Sequence, residues 1–381
     1  MDVKPYIQQL LSYIEYNDYV GYDPYDALNS PFLRIVSKRS KWLRIIFTQA
    51  LRRFPLNLRA MLGVKKGLNP KALGLFLGAY AKLYSVEKKR EYLEKIDHLL
   101  SLLDGLKSPG YSGNAWGYNF DWQSRLVYRP KFTPTIVNTS FIGHALLDTY
   151  EITGNKRALE IALKIEEFIV KDLNRKKEGD VVCFSYTPID QDYVHNANVL
   201  GASLLIRLYK FTGTEELRQT ALESLGYCFK HQREDGAWTY AQTDVQQWID
   251  SFHTGFILES IRHFLYLGEA VELKEHYKRG VSYYRNNFFL EDGTPKYYDH
   301  EVYPIDIHSP AEAVYFFSGE GEEYNNLTEK VLIWMITNMW DKSGYFYFRK
   351  TPHFTNKIPY IRWSQAWGLR AVTEYYLKNN K

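Results

Sequence analysis

Apolar and polar positions along most of the chain form two alternating kinds of helical segment. The first kind is apolar on nearly every face, as in FIGHALLDTY (141–150) and VLGASLLIRLY (199–209). The second kind has one apolar stripe with charges opposite it, as in KRALEIALKIEEFIVKDL (156–173). Apolar spacings of three and four residues indicate α-helix. The alternation therefore predicts buried inner helices, each backed by an amphipathic outer helix.

The helix pairs recur at a nearly constant interval, with Gly-containing loops rich in Tyr, Trp and Phe between them. Six openings can be counted, near Asn69, Asn138, His195, Asp250, Asp306 and Arg362. The spacing from Asn138 to Asn196 is 58 residues, and the two spacings between Asp250, Asp306 and Arg362 are both 56. Open helical solenoids are the alternative, but they repeat at about 33–47 residues. The pattern predicts an all-α fold, an (α/α)6 toroid or barrel of helical hairpins with short aromatic loop strands.

One domain is expected for the whole chain. Residues 69–381 would form the toroid, and residues 1–68 a helical segment packed on the ring or closing it. That segment is basic from residue 34, because no Asp or Glu occurs between Ala27 and Val86. The stretch from Ser40 to Phe54 mixes cations with Trp42, Ile45 and Ile46. Such a segment can lie on an anionic membrane surface, grip an anionic polymer or simply pack against the ring.

The composition of the chain indicates the character of its cavity and the cellular compartment in which it works. Aromatic residues make up 16% of the chain, with 32 Tyr. A phenol joins an apolar ring to a polar tip, so a Tyr-rich interior suits a cavity that is partly apolar and partly wet. Cys183 and Cys228 form no disulfide framework. No secretory leader or uninterrupted apolar span of about 18 residues is evident. We therefore expect a cytoplasmic protein, either free or peripheral to the inner face of the membrane.

Polar residues cluster where the inner helices begin and in the loops before them, so in a toroid they meet at one end of the ring. Candidates for catalysis are Asp121, Tyr186, Asp250, His253, Asp306 and His308. Candidates for substrate binding are Trp116, Tyr118, Trp122, Arg125, Asn138, His195, Asn196, Trp238, Tyr240, Trp248, Tyr297, Arg362, Trp363 and Gln365. Asn, Asp and Ser are also ordinary helix N-caps, but His and Trp are not. Aromatic platforms with amides, carboxylates and imidazoles suit sugar rings and their hydroxyls.

Two chemistries remain open at this point. Glycoside hydrolysis needs two carboxylates about 5 Å or about 6.5–9.5 Å apart, for which Asp121, Asp250 and Asp306 are candidates. Elimination or epimerisation of a uronic acid needs a base beside the carboxylate and a partner for the enolate charge. The candidates for base or acid are Tyr186, His195, His253 and His308. The candidates for neutralising the carboxylate are Arg125, Arg362 and Asn138. Spacing along the chain does not choose between these reactions.

Motifs of other function classes are absent from the sequence. There is no GxxxxGK[ST], no GxGxxG, no HExxH, no paired CxxC and no GxSxG. No metal site and no cofactor are therefore expected. A net charge of +4 is modest for a nucleic-acid-binding protein, so no nucleic-acid partner is expected either.

Several motifs resemble those of known toroids. HQREDGAW (231–238) is similar to the Q-x-x-D-G-x-W signature of terpene-cyclase toroids, but the acidic DxDD and DDxxD motifs of that chemistry are absent. GYDPYDALNSP, NAWGYNFDWQSR, HNANVLGASLL and RWSQAWGLRAV, between residues 21 and 376, resemble a toroid family associated with capsule and exopolysaccharide biosynthesis. That family lies within the six-hairpin superfamily of carbohydrate-active enzymes. The resemblance implies a role in making or modifying a surface polysaccharide, and it supplies no catalytic residue.

The sequence thus predicts a carbohydrate-active protein of surface-polysaccharide biosynthesis. The leading hypothesis is a glycan-modifying enzyme, a hydrolase, lyase or uronate epimerase, whose partner is an oligosaccharide or lipid-linked glycan. One alternative is a non-catalytic glycan-binding or membrane-peripheral scaffold protein. The other alternative is a terpene-cyclase-like toroid.

Overall fold

The computed structural model describes residues 1–380, which contain fourteen α-helices, and twelve of these form two concentric layers. The inner helices are α4 (Pro70–Glu87), α6 (Ile136–Thr153), α8 (His195–Thr212), α10 (Ser251–Tyr266), α12 (His308–Ser318) and α14 (Trp367–Asn380). The outer helices are α1 (Lys4–Tyr16), α5 (Arg90–Gly105), α7 (Lys156–Leu163), α9 (Glu215–Lys230), α11 (Lys274–Asn287) and α13 (Asn325–Met339). Two further helices, α2 (Pro31–Ser37) and α3 (Lys41–Arg53), lie before the first inner helix.

The inner helices close into a ring. Each one contacts the next in chain order, and α14 returns to contact α4. Helices α5, α7, α9, α11 and α13 each pack on the inner helix that precedes them, whereas α1 packs on α14. The N-terminal helix therefore occupies the sixth outer position beside the C-terminal inner helix. The predicted all-α (α/α)6 toroid is confirmed.

The apolar character of the inner helices follows from their position, because neighbours cover them on every side. In α6 the residues from Ile136 to Leu147 are all buried, whereas in α7 only Ala158, Ile161 and Ala162 are buried. Close approach of α4 to α6 requires a glycine at Gly74, since a Cβ there would lie 2.8 Å from Cγ1 of Ile142. Burial of these side chains supplies most of the driving force for closing the ring.

The inner helices begin within a few residues of the predicted openings, and side chains cap several of them. Asn69 caps α4 and Asp250 caps α10, each through a side-chain oxygen that accepts a backbone N–H. Helix α6 is capped one turn earlier than expected, by Thr135, so Asn138 lies in its first turn. Before α14, residues Ile361–Ala366 form a π-helical turn that carries Arg362.

Strands are confined to the loops and are two to four residues long, as predicted. They are β1 (Val20–Gly21), β2 (Gly67–Leu68), β3 (Trp122–Gln123), β4 (Tyr128–Arg129), β5 (Arg175–Glu178), β6 (Val181–Phe184), β7 (Ile305–Asp306), β8 (Trp340–Asp341), β9 (Tyr345–Phe346), β10 (Arg349–Lys350) and β11 (Thr355–Asn356). All pairs are antiparallel, and β10 lies between β7 and β11. The β3–β4 and β7–β10–β11 sheets flank the end of the ring at which the inner helices begin.

Helices α2 and α3 cover part of that same end. Helix α3 contacts β3, and Nε of its Arg44 donates to Oε1 of Gln123 at 2.9 Å. The outward faces of α2, α3 and the following loop expose large apolar side chains: Phe32, Ile35, Val36, Trp42, Ile46, Phe54, Leu56 and Met61. No helix within residues 1–380 is long and apolar enough to cross a bilayer.

Candidate active site

A cavity of about 500 Å³ opens at the end of the ring where the inner helices begin. Its walls come from α3, the β3–β4 hairpin, the first turns of the inner helices and the loops before them. Of the residues expected at the site from the sequence, those that line the cavity are Tyr118, Trp122, Arg125, Tyr186, Asn196, Tyr240, Trp248, His253, Tyr297, His308, Arg362 and Trp363. The fold therefore brings together side chains from five separate repeats.

His253 is held by the carboxylate of Asp250. Oδ2 of Asp250 lies 2.7 Å from Nδ1 of His253 and also accepts a bond from Nε1 of Trp248 at 3.0 Å, while Oδ1 accepts the backbone N–H of His253. An ionised carboxylate can only accept, so Nδ1 of His253 carries the proton. This tautomer leaves Nε2 with a free lone pair, and His253 lines the cavity. Asp250 itself is 2% exposed and does not line the cavity.

His308 is held by stacking rather than by hydrogen bonds. Its ring lies flat on the indole of Trp363, with centroids 4.0 Å apart and an interplanar angle of 9°. Nε1 of Trp363 donates to Oδ1 of Asp306 at 2.6 Å, so Asp306 fixes the indole and the indole fixes the imidazole. Neither ring nitrogen of His308 has a protein partner. Burial, with Lys71 and Arg362 nearby, holds the pKa of His308 well below its usual value, so the ring is neutral.

Lys71 lies in the first turn of α4 and lines the cavity with no carboxylate partner. Lys71 is 3% exposed, and its Nζ lies over the rings of Phe141 (4.2 Å to the centroid) and Trp367 (5.1 Å). Burial lowers the pKa of this amine well below 10.5, and the positive charges of Arg362 and Arg370 lower it further. Lys71 therefore loses its proton more readily than a surface lysine.

Positive charge dominates the cavity wall. Arg362 is neutralised by two bonds to Asp23, whereas Arg52 and Arg53 of α3 have no carboxylate partner. The guanidinium of Arg52 lies 4.9 Å from the ring centroid of Tyr25 and 5.9 Å from that of Trp363. That of Arg125 lies 5.3 Å from the ring of Trp248. Cations held on aromatic faces in a concave site favour an anionic ligand.

Aromatic rings supply most of the remaining wall. Tyr240 and Trp248 are stacked, with centroids 4.5 Å apart and an interplanar angle of 17°. Trp122 lies edge-on to Tyr118 and tilted against Tyr186. Burial raises the pKa of Tyr186 well above 10, so its phenol stays protonated and serves as a hydrogen-bond donor. Rings and phenols of this kind suit the flat faces and hydroxyls of sugars.

Carboxylates are scarce in the cavity. Among the lining residues only Asp192 is acidic, and its Oδ2 accepts from Nη2 of Arg129 at 3.0 Å while Oδ1 accepts from Gln246. Asp121 lies outside the lining and accepts the backbone N–H of Lys131 at 2.8 Å. Within residues 1–380 no group of three or more His, Cys, Asp or Glu side chains is placed to hold a metal ion.

The other predicted site residues lie outside the cavity lining and serve the framework. Trp116 donates through Nε1 to the carbonyl of Leu103, and Trp238 does the same to Cys228. Gln365 exchanges two bonds with the backbone of Phe346. His195 accepts from Nε2 of Gln242 at 2.7 Å, and Asn138 is fully buried in α6 with its amide unpartnered. Asp250 and Asp306 stand one layer behind the wall, as described above.

Several residues that line the cavity were not predicted from the sequence. They are chiefly Lys71, Phe252 and Phe256 on the inner helices, Tyr25, Gln49, Arg52 and Arg53 from the N-terminal segment, and Tyr298. A signal existed for Lys71, the one charged residue in the stretch NPKALGLFLGAY that is otherwise suited to burial. The basic sequence of α3 indicated an anionic partner, but it did not indicate that α3 packs across the cavity, because that packing is a tertiary contact.

Comparison with solved structures shows which proteins share this fold. Cellobiose 2-epimerase from Bacillus thermoamylovorans B4167 superposes with a TM-score of 0.65 at 15% identity, covering 82% of this chain and 88% of that one. The GH76A α-1,6-mannanase from Salegentibacter sp. HEL1_6 gives 0.58 at 15%, covering 82% and 90%. A glycosyl hydrolase of family 88 from Bacteroides vulgatus gives 0.56 at 10%, covering 85% and 96%.

These neighbours share the (α/α)6 toroid at low sequence identity, so the likeness concerns the fold. No protein-family model matches the chain. No curated protein matches its sequence. The chemistry of the protein therefore depends on the residues of its own cavity.

Proposed function

We propose that this protein is a carbohydrate-active enzyme that moves a proton at carbon, as a sugar epimerase or a polysaccharide lyase does. The observation that carries the proposal is the pairing of two imidazoles with free ring nitrogens, His253 and His308, in a cavity whose one lining carboxylate is ion-paired. A glycosidase needs an acid and a second carboxylate, both free to act on the bond. Asp192 is held by Arg129, so the cavity suits proton transfer better than hydrolysis.

His253 is the proposed base. The carboxylate of Asp250 keeps its proton on Nδ1, so Nε2 faces the substrate as an acceptor and the imidazolium that forms is stabilised by that carboxylate. His308 is the proposed second proton carrier, because both of its ring nitrogens lack a protein partner. The Phe252 ring touches both imidazoles, with centroids 4.3 and 5.1 Å away. Inversion of the carbon centre needs a new proton on the opposite face, so His308, which is neutral in the free protein, would first take up a proton from solvent and then give it to the carbanion.

Charge that develops on the substrate during this step is met by cations. Removal of a proton beside a carbonyl or carboxylate places negative charge on oxygen, and fixed donors stabilise it. Arg52 has no carboxylate partner and lies in the cavity wall, and Lys71 lines the floor among aromatic rings. The Tyr240–Trp248 stack supplies a flat apolar face for the sugar ring.

The substrate class we propose is an oligosaccharide. Structures with the same fold include an epimerase of cellobiose and an α-1,6-mannanase bound to α-1,6-mannotriose, both of which act on or bind sugars. The cavity of about 500 Å³ is large enough for one to two sugar rings. The excess of positive charge in its wall favours a glycan with an acidic sugar over a neutral one.

Proton exchange with solvent provides the decisive experiment. The protein is incubated in D2O with cellobiose, α-1,6-mannotriose and a glucuronate-containing disaccharide, and carbon-bound protons are followed by ¹H NMR. Deuterium should enter one sugar position, and the acidic disaccharide should react fastest. His253→Ala and His308→Ala should each lower the exchange rate by at least about 10²-fold.

A matched control is His300→Ala, because His300 is exposed on a loop and paired with Asp299. It should leave the exchange rate unchanged. Release of reducing sugar without deuterium at carbon would overturn the proposal in favour of hydrolysis. Sugar binding without either reaction would favour a non-catalytic glycan-binding protein.

We further propose that the glycan belongs to a capsule or exopolysaccharide pathway and is lipid-linked when it reaches the cavity. The protein would then work in the cytoplasm, peripheral to the inner face of the membrane. Support comes from α2 and α3, which expose Phe32, Ile35, Trp42 and Ile46 beside Arg34, Lys38, Arg39 and Lys41. Apolar side chains amid cations are suited to an anionic lipid surface.

Vesicle flotation tests this membrane contact. Binding should occur with vesicles of phosphatidylglycerol and phosphatidylcholine and should be lost with phosphatidylcholine alone. Trp42→Ser with Ile46→Ser should abolish flotation, whereas Tyr266→Ser, which changes an exposed ring on α10, should not. Equal flotation of the double variant and the parent chain would remove α3 from the proposal.

A further inference from the structure

A second concave region of about 570 Å³ adjoins the cavity, and we refer to it as the annex. The two share Arg52, Arg53, Tyr297 and Tyr298 as a common wall, so a ligand in one can extend into the other. The far side of the annex is formed by β10 and the loop after it, which carry Arg349 and Phe354. A substrate seated against the two histidines would therefore project one end between α3 and β10.

Three guanidiniums line the annex, and no lining residue is acidic. Arg349 donates from Nη2 to Asp306 at 2.9 Å, but its Nε is buried without a partner. Arg52 has a buried, unpartnered Nε as well, and neither Arg52 nor Arg53 has a carboxylate partner. Buried hydrogen-bond donors without partners are rare in folded proteins because leaving them unpaired is costly.

The charge balance of the annex defines the ligand that fits it. One of the three guanidiniums is ion-paired with Asp306, whereas neither Arg52 nor Arg53 is ion-paired with a carboxylate. Planar guanidiniums bind phosphate oxygens through paired N–H donors, and several of them together match a group with more than one negative charge. The phenols of Tyr298 and Tyr303 add donors at the rim. A single uronate carboxylate would leave part of this positive charge unmatched.

We propose that the annex binds a phosphate or diphosphate group that is attached to the glycan in the main cavity. The inference deepens the proposed function, on which it rests for the sugar. It makes the substrate a glycosyl phosphate or diphosphate, with its sugar against His253 and His308 and its phosphates between α3 and β10. Helix α3 then serves both sites, since Arg52 and Arg53 face the anion and Trp42 and Ile46 are exposed.

Calorimetric titration of the full chain with inorganic pyrophosphate at low ionic strength tests the site without any turnover. Pyrophosphate should bind more tightly than phosphate, and phosphate more tightly than glucuronate. Arg53→Gln should weaken pyrophosphate binding by about tenfold, and Arg52→Gln with Arg53→Gln by about a hundredfold. Arg53 is exposed, so its replacement should leave folding intact.

Arg90→Gln is the matched control, because Arg90 is exposed on α5 and belongs to neither cavity. It should leave pyrophosphate binding unchanged. Equal binding by Arg53→Gln and the parent chain, or tighter binding of glucuronate than of pyrophosphate, would overturn the proposal. His253→Ala should bind pyrophosphate as the parent does, so failure of the proton-transfer chemistry and failure of the annex are separable.

Two further probes distinguish the source of the diphosphate. Uridine diphosphate carries the group on a nucleoside, and farnesyl diphosphate carries it on a short isoprenoid chain. Tighter binding of farnesyl diphosphate, sensitive to Arg53→Gln, would support a lipid-linked glycan. Tighter binding of uridine diphosphate would support a nucleotide sugar, and weaker binding of both than of pyrophosphate would contradict a carrier-linked substrate.

Discussion

The guanidinium of Arg362 binds the carboxylate of Asp23 through two hydrogen bonds, Nε to Oδ2 at 2.5 Å and Nη2 to Oδ1 at 2.8 Å. Both side chains are buried, and 339 positions of sequence separate them. The pair joins the N-terminal segment to the turn before α14 and places Arg362 over the ring of Tyr118 at 4.8 Å. It therefore connects the closure of the ring to the wall of the cavity.

Loss of this pair should destabilise the fold. Asp23→Asn removes the negative charge and leaves the Arg362 cation buried without compensation, which costs about 3–5 kcal/mol in unfolding free energy. Chemical denaturation followed by circular dichroism measures the change. Asp18→Asn is the control, because Asp18 is exposed, and it should change stability by less than about 0.5 kcal/mol. Equal midpoints for the two variants would contradict the buried pair.

Orientation of His253 by Asp250 can be separated from helix capping. Asn is as good an N-cap as Asp, so Asp250→Asn should keep α10 capped and the fold stable. It no longer accepts a charge-assisted bond from Nδ1, so the imidazole loses its fixed tautomer. Proton exchange should fall about 10³- to 10⁴-fold with little change in stability. A variant that keeps its exchange rate would show that His253 needs no carboxylate.

Lys71 should make stability depend on pH. Burial lowers the pKa of this amine below 10.5, so the unfolded chain binds a proton that the folded chain releases more readily. The free energy of unfolding contributed by Lys71 is complete above about 10.5 and declines as pH falls towards the folded-state pKa. Each unit of the shift costs about 1.4 kcal/mol below that pKa.

Lys71→Met removes this cost, so it should be more stable than the parent chain at pH 7, and the gap should narrow as pH approaches 10.5. Lys65→Met is the control, because Lys65 is exposed and should show no such trend. Denaturation curves from pH 6 to 10 measure both. The same substitution should lower proton exchange, since Lys71 lines the cavity. A parent chain more stable than Lys71→Met across the whole range would contradict the assignment.

Two glycines one turn apart on α4 should respond oppositely to alanine. A Cβ at Gly74 would lie 2.8 Å from Cγ1 and 3.1 Å from Cα of Ile142, so α4 and α6 would have to separate. Gly74→Ala should cost about 1–3 kcal/mol. A Cβ at Gly78 meets the Cβ of Ala145 at 3.5 Å, an ordinary contact, so Gly78→Ala should stabilise by about 0.5–1 kcal/mol. Thermal unfolding of the two variants compares them, and equal melting temperatures would contradict the close approach.

Much of the fold could be predicted from local sequence patterns, because each helix pair is formed by residues that are close together in the chain. The apolar inner segments, the striped outer segments and polar openings such as Asn69 and Asp250 depend on residues three or four positions apart. The sixth outer position was not specified in this way. Helix α1 fills it against α14, and that pairing joins the two ends of the chain.

The site was less readable, because a residue type does not reveal which way its side chain faces. Three side chains have the chemistry of sugar binders but form hydrogen bonds with the backbone of a neighbouring segment instead: Trp116, Trp238 and Gln365. The basic stretch that contains Arg52 and Arg53 gave no sign that it lines the cavity, and Asp23 carried no local signal of a site. They reach the cavity because the N-terminal segment folds across its opening.

The sequence by itself determined the repeat, the helical layers and the end of the ring at which polar and aromatic residues meet, because these follow from periodicity and capping. The tertiary structure decided which of those residues face a common cavity. It brought His253 and His308 into one cavity with a single carboxylate, Asp192, which is ion-paired. It also placed Arg52 and Arg53 of α3, which have no carboxylate partner, in the same cavity wall. Charge pairing across hundreds of residues, such as Asp23 with Arg362, depends on distances that exist only after the ring has closed.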